Sequence, residues 1–190
     1  VERKLKDLQL AEKVEKIAEK DVKLAEKVVR SLEDRAAKIF GFLTLFNLTK
    51  DSKFLRDAVE MAEKDEDYFM IVELSDEPLT EIAEMIESSY RKNLAYCIIL
   101  EKTGDLNLAT KITDTRLLSA SLKRVALKKR YPESLMIARI VPDPYYRALA
   151  LMELAERDML DLRDEIAEAV KLVRNTALRR RLEEKMKKKY

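Results

Sequence analysis

The side chains that could do chemistry are few, and their spacing suits little of it. No histidine occurs in the 190 residues, so no Ser–His or Cys–His nucleophile pair can form. The single cysteine, Cys97, lies in the apolar run "LAYCIIL", where a small buried hydrophobe is expected rather than a reactive thiolate. Two isolated glycines cannot build a phosphate-cradling loop, and one cysteine with no histidine cannot make a Cys/His zinc cluster. Carboxylates remain. Their densest group is "EKDEDY", Glu63 to Tyr68, with four acids in five positions. Calcium takes oxygen ligands, but this spacing fits no calcium loop and the required glycine is missing. The expectation is a solvated turn between helices, with Asp67 capping the second. Neither catalysis nor a cofactor or metal is expected.

Basic and aromatic side chains are the other candidates. "KKRYP" at 128 to 132 and the Tyr145–Tyr146 pair could stack and clamp single-stranded nucleic acid; equally, one tyrosine could pack on the preceding hairpin and the other on its rim. The charge layout is uneven. Residues 57 to 87 carry twelve acids against one lysine, a net −11; residues 116 to 130 carry six cations and no acid, a net +6; residues 171 to 190 carry nine cations and two acids, a net +7. Lys123, Arg124, Lys128, Lys129, Arg130, Tyr131, Tyr145, Arg179, Arg180 and Arg181 are therefore the candidate interaction residues. The acidic segment weighs against a phosphate-backbone partner, which it would repel.

These groups need elements to hold them. Charged residues make up 39% of the chain and hydrophobic ones 47%, with a net charge of only +2. Ala, Leu, Glu, Lys and Arg dominate, all strong helix formers, while two glycines and four prolines leave little for turns. One phrase recurs: "AEKV" at Ala25, "AVEM" at Ala58, "AEMI" at Ala83, "ATKI" at Ala109, "ARIV" at Ala138 and "AEAV" at Ala167. The intervals are 33, 25, 26, 29 and 29 residues. Each phrase puts a small and an aliphatic side chain at i and i+3, on one helical face. A polar break follows, and then a longer apolar helix. Every break holds a residue able to accept the otherwise unpaired N–H groups of that helix: Asp34, Asp67, Ser88 or Ser89, Asp114, Asp143, Asn175. Pro144 behind Asp143 suits a first helical position. Pro78 and Pro132 stand where first helices should begin. Gly104 before Asp105 reads as a helix stop and the next cap. Gly41 inside "KIFGFLTL" predicts a close helix approach. Arg35, Arg91 and Arg147 open second helices, where the dipole opposes them, so carboxylate partners are expected, Asp143 for Arg147 at i, i+4. Residues 1 to 20 predict a helix to about Lys20 with Asp21 capping the next; one long helix is the rival reading.

A hairpin of about 26 to 30 residues cannot bury its apolar face alone, so neighbours must stack. The expected fold is all-α: a right-handed α-solenoid of about five or six antiparallel helical hairpins, forming one domain over 1–190. Its parts are a capping helix at 1–20, hairpins at 21–50, 51–76, 77–104, 105–130 and 131–158, and a basic capping repeat at 159–190. The pattern resembles the tetratricopeptide/HEAT-like superfamily of helical repeats, and also helical-repeat proteins of hyperthermophilic archaea; Lys, Glu and Arg in such abundance suit that source. The resemblance is one of architecture and implies no activity. The function it leads one to expect is a non-enzymatic protein-binding scaffold; the alternative is an RNA-binding or ribonucleoprotein-associated protein using 116–130 and 171–190. A homodimer joining the acidic 57–87 and basic 171–190 surfaces is a further expectation. A single cysteine and the absence of a signal-peptide pattern or membrane-length apolar run point to the cytosol. Val1 in place of an initiator methionine leaves open a chain cut from a longer one.

Overall fold

The structure, a computed structural model, describes residues 2–189; Val1 and Tyr190, the limits of the expected domain, lie outside the described residues. The fold is all-α, and no strand occurs among the described residues. Contacts divide the chain into two compact units, one reaching to Ala95 and one starting at Tyr96. The first holds α1 (Glu2–Ala18), α2 (Val22–Ser31), α3 (Arg35–Thr49), α4 (Ser52–Met61), α5 (Asp65–Leu74), α6 (Thr80–Glu84) and the start of α7 (Ser89–Thr103). The second holds the rest of α7, a 3-10 helix (Leu106–Lys111), α8 (Thr115–Lys128), α9 (Glu133–Arg139), α10 (Pro144–Asp158), α11 (Arg163–Lys171) and α12 (Thr176–Lys189). α1 ends at Ala18 and Asp21 accepts the Leu24 N–H to cap α2. Two helices therefore stand there, not one.

Capping explains most helix starts. Asp34, Asp114 and Asp143 accept N–H groups of α3, α8 and α10. Ser88 accepts from Arg91 at 3.4 Å and Asn175 from Leu178 at 3.0 Å. Asp67 departs from expectation. α5 starts at Asp65 with Lys64 in the cap position, and Asp67 is buried inside its first turn, 2% exposed. From there it reaches back to accept the N–H of Glu63, one residue before the cap position, at 3.1 Å.

Each short helix ends in one way. An N–H donates to the carbonyl three residues earlier, Leu32 to Val29, Ala62 to Val59, Ile86 to Ala83, Ile112 to Ala109, Val141 to Ala138 and Val173 to Val170, all at 3.1–3.3 Å. Two positions on stands the cap position of the next helix, at Asp34, Lys64, Ser88, Asp114, Asp143 and Asn175. The true register thus matches the expected anchors at Ala83, Ala109 and Ala138 and slips elsewhere, from Ala25 to Val29, Ala58 to Val59 and Ala167 to Val170. Ala25 and Val29 are one helical turn apart and share a face, so the apolar pattern alone fits both. Val28, Ala109 and Ala167, expected in the core, are half-buried, whereas Val29, Ala169 and Val170 are buried. At "ATKI" the element is 3-10, not α. The Thr110 hydroxyl there bonds the Asn107 carbonyl at 2.9 Å, and Leu108 and Ile112 are the buried pair.

The core of the first unit gathers around α3. Ile39, Phe42, Leu43, Leu45 and Phe46 are buried in one cluster with Val14, Ala25, Val29, Phe54 and Ile71. α3 is apolar nearly all round, which requires a cover on each side. α1 supplies one, through Val14 and Ala18 and through Ala11 against Leu32, Ala37 and Phe40. Gly41 is required where α2 meets α3: a Cβ there would lie 2.7 Å from a Val29 methyl. In the second unit Leu122, Ile137, Leu151, Leu154 and Ile166 are buried, with α10 packed against α8, α9, α11 and α12. Gly104 ends α7 at φ 70°, and the same left-handed turn is forced on Lys50 (φ 57°) and Met159 (φ 53°) at the ends of α3 and α10.

Candidate interaction surfaces

Of the Glu63–Tyr68 acids, Glu63 lies in the exposed link between α4 and α5, and Asp65, Glu66 and Asp67 form the first turn of α5. Glu63 pairs with Arg35, and Glu66 with Arg91 at 2.7 Å. Asp67 lies 3.2 Å from Arg35 Nε. Asp65 accepts the backbone N–H groups of Glu87 and Ser88, both at 2.8 Å. Those two donors hold its carboxyl below the ordinary carboxylate range. Every acid in the group is thus tied to an arginine or to backbone, and no cluster of three metal-ligating side chains occurs among the described residues.

Cys97 is buried, and burial pushes its thiol up from its ordinary value, away from thiolate reactivity. Ser121 bonds it and donates to Glu101 Oε1 at 2.6 Å. Glu101 also takes Arg124 at 2.6 Å. The arrangement ties α7 to α8 within the second unit.

The arginines that open second helices find partners by different routes. Arg35 reaches forward one hairpin to Glu63, and Arg91 reaches back to Glu66. Arg147 departs from expectation: its guanidinium donates to the Pro142 carbonyl at 3.5 Å and makes no ion pair with Asp143, whose Oδ1 accepts the Tyr145 and Tyr146 N–H groups. One rule covers the wider pattern: charges pair across one hairpin length. Arg3 meets Glu33, Lys53 meets Glu26, Arg30 meets Asp57, Lys50 meets Asp76, Lys123 meets Glu153 and Arg139 meets Glu165. Arg30 and Lys53 hold the Glu26 carboxyl below its usual range, Lys53 most strongly.

The candidate cations of α8 therefore divide between its flanks. Lys123 turns to α10, while Arg124 and Lys128 turn to Glu101 on α7, Lys128 bonding its carbonyl at 3.2 Å. Lys129 pairs with Glu133 at 2.9 Å. Arg130 is exposed, as is Tyr131 at 58%. Tyr145 packs edge-on against Tyr146, centroids 5.5 Å apart, and lines a cleft of about 650 Å³ with Pro142, Leu172, Arg174 and Leu178; Tyr146 bonds Arg116 instead. On α12, Arg179 lies 3.9 Å from Glu183, while Arg180 and Arg181 are exposed and make no ion pair among the described residues.

A class of residues escaped the sequence reading: side chains that clamp the next hairpin's linker. Asp7 accepts the Glu33 and Asp34 N–H groups at 2.8 and 2.7 Å, which holds its carboxyl low. Asn47 bonds Leu74 and Asp76, and Ser119 accepts the Asp143 N–H at 3.0 Å. Thr49 and Thr103 form matching turns: each hydroxyl donates back to a carbonyl of its own helix and accepts the N–H of Asp51 or Asp105. Only the shared "T-x-D" of residues 49–51 and 103–105 could have signalled these turns.

No helix among the described residues is long and apolar enough to cross a membrane. No protein-family model matches the chain, and comparison with curated proteins and with solved structures returns no match.

Proposed function

We propose that the chain is a non-enzymatic helical-repeat scaffold whose short-long helix pairs stack as a right-handed α-solenoid and bind another protein. One observation carries this reading: the polar groups best placed for chemistry are occupied in joining one helix pair to the next. Asp65, Asp67, Glu101 and Ser121 all hold neighbouring helices or linkers. What is left for a partner is surface, chiefly the exposed Arg130, Tyr131, Arg180 and Arg181. An RNA partner is the second reading, and those same four residues favour it. The pairing of Lys123, Arg124 and Lys129 with carboxylates counts against it, since a phosphate backbone would have to displace them. The acids of a second copy are a third candidate, though Asp57, Glu63, Glu66 and Asp76 already meet cations of their own unit.

The test is affinity capture from the native cell extract with and without nuclease, read by mass spectrometry. Proteins retained after nuclease, and lost with Arg180→Glu/Arg181→Glu, support the scaffold. Capture that disappears with nuclease supports RNA. A dimer in sedimentation velocity that dissolves between ~0.05 and ~0.5 M salt, where screening tightens, and that Arg179→Glu/Arg180→Glu/Arg181→Glu abolishes, supports self-association.

A further inference from the structure

From the first helical hairpin we infer a second docking surface, one that fits an acidic amphipathic helix. It lies along α1 and α2, within the first unit. On α2, Glu26 and Arg30 mark the side turned to α4, through their bonds to Lys53 and Asp57. Leu24 and Val28 fall on the opposite side by helical spacing, Leu24 being 51% exposed. On α1, Asp7 and Ala11 mark the side turned to α3. Leu10 and Ile17, seven residues apart, lie about a quarter turn from it, with Leu10 41% exposed. Ile17 and Val28 pack on the same buried cluster of Val14, Ala18, Ala25 and Val29. The four side chains thus line an apolar seam with a packed floor, uncovered at Leu10 and Leu24 among the described residues.

The rim decides the occupant. Lys6 and Lys13 stand three or four positions from Leu10 and Ile17 on α1, Lys27 stands three from Leu24 on α2, and Lys20 lies in the turn between the helices; all four are exposed. None makes an ion pair among the described residues, whereas Arg3, Lys4 and Arg30 on the same helices do. An apolar strip bordered by free ammonium groups is complementary to a helix with a narrow leucine-type stripe flanked by carboxylates. The same seam of a second copy would bring lysine rows together, a like-charge contact that opposes pairing. A lipid surface fits less well. Helices that lie on membranes present Trp, Phe and Leu on a broad face; residues 2–31 contain no aromatic side chain, and half of this seam is already sunk in protein.

The surface rests on the scaffold reading but not on the same residues, so the two fail separately. The probe is a fluorescein-labelled designed helix of ~18 residues, about five turns, carrying a leucine stripe flanked by glutamates; its twin carries lysines instead. Fluorescence anisotropy with the full chain should show binding of the acidic helix, at least tenfold weaker for the twin. Lys13→Glu/Lys27→Glu, both exposed positions, should reverse that preference while the circular-dichroism melt stays unchanged. Leu24→Ser should weaken both probes. Equal binding of the two helices, no binding of the acidic one, or no response to the lysine reversal overturns the proposal. So does uptake by phosphatidylserine vesicles without peptide binding, or self-association that the lysine reversal abolishes. A native partner captured equally by the parent and the lysine-reversed chain sinks this surface and leaves the scaffold standing.

Discussion

Gly41 shows how little space separates α2 from α3. Alanine is the better helix former by about 1 kcal/mol, so in an exposed helix Gly41→Ala would stabilise. Here its methyl would sit 2.7 and 3.0 Å from the two Val29 methyls, and valine is stiff at χ1. Overpacking of this kind costs about 1–3 kcal/mol and should win. Gly41→Ala is expected to lower the melting temperature, and Gly41→Ala/Val29→Ala to recover part of the loss. The opposite sign is expected at Met159, 92% exposed with φ 53°. Left-handed backbone costs a side chain roughly 1 kcal/mol, so Met159→Gly should raise the melting temperature. A fall would mean that the side chain holds the turn by contacts.

At the scale of the element, the linkers matter more than the helices. Asp7 and Asp65 each hold two linker N–H groups, and both carboxyls are held below their ordinary value by those donors. A depressed carboxylate contributes stability that is complete above its unfolded value, about 4, and is lost as pH falls through the folded one. Melting temperature should therefore be flat from pH 7 to about 5 and fall below about 4. Asp7→Asn/Asp65→Asn should be less stable at pH 7 and show a shallower acid fall; an unchanged acid slope would remove the clamps from the explanation. The anchors make a second case. Ala138 is fully buried and Ala167 is not. Ala138→Glu should cost several kcal/mol by burying an unpaired carboxylate, against about 0.5 kcal/mol for Ala167→Glu. Equal losses would restore the register that the sequence alone suggested.

For the whole molecule, part of the like charge blocked in the sequence becomes ion pairs between helix pairs, as at Asp57, Glu63, Asp76 and Lys123, while Arg180 and Arg181 make none among the described residues. Arg139 and Glu165 are 26 positions apart and bonded twice. Exposed pairs contribute only about 0.2–1 kcal/mol each, so their value lies more in choosing which neighbour stacks. Arg139→Glu alone should destabilise, and Arg139→Glu/Glu165→Arg should recover stability in a double-mutant cycle. The all-α class, most caps, the Gly41 approach and the cover supplied by α1 were legible in the sequence, because periodicity and capping act within a few residues. The slips from Ala25 to Val29 and from Ala167 to Val170 were not, because a shift of about one turn leaves the apolar face unchanged. Nor were Asp7, Asn47 and Ser119 as clamps, since a polar side chain on a helix looks the same whether it meets water or the next linker.

Those clamps and ion pairs share a property with a kinetic consequence. Among the described residues, none of these side-chain bonds spans more than 30 positions, the separation of Arg3 from Glu33, Arg116 from Tyr146 and Lys123 from Glu153. A nascent chain leaving the ribosome would find each partner within about one hairpin of emerging, with no strand waiting for a distant mate. Loop closure over so short a span costs little entropy and sets a low barrier, so assembly should keep pace with translation. Nascent-chain proteolysis would show it, as protection that rises in steps of about one hairpin and not all at once when the last residue is added.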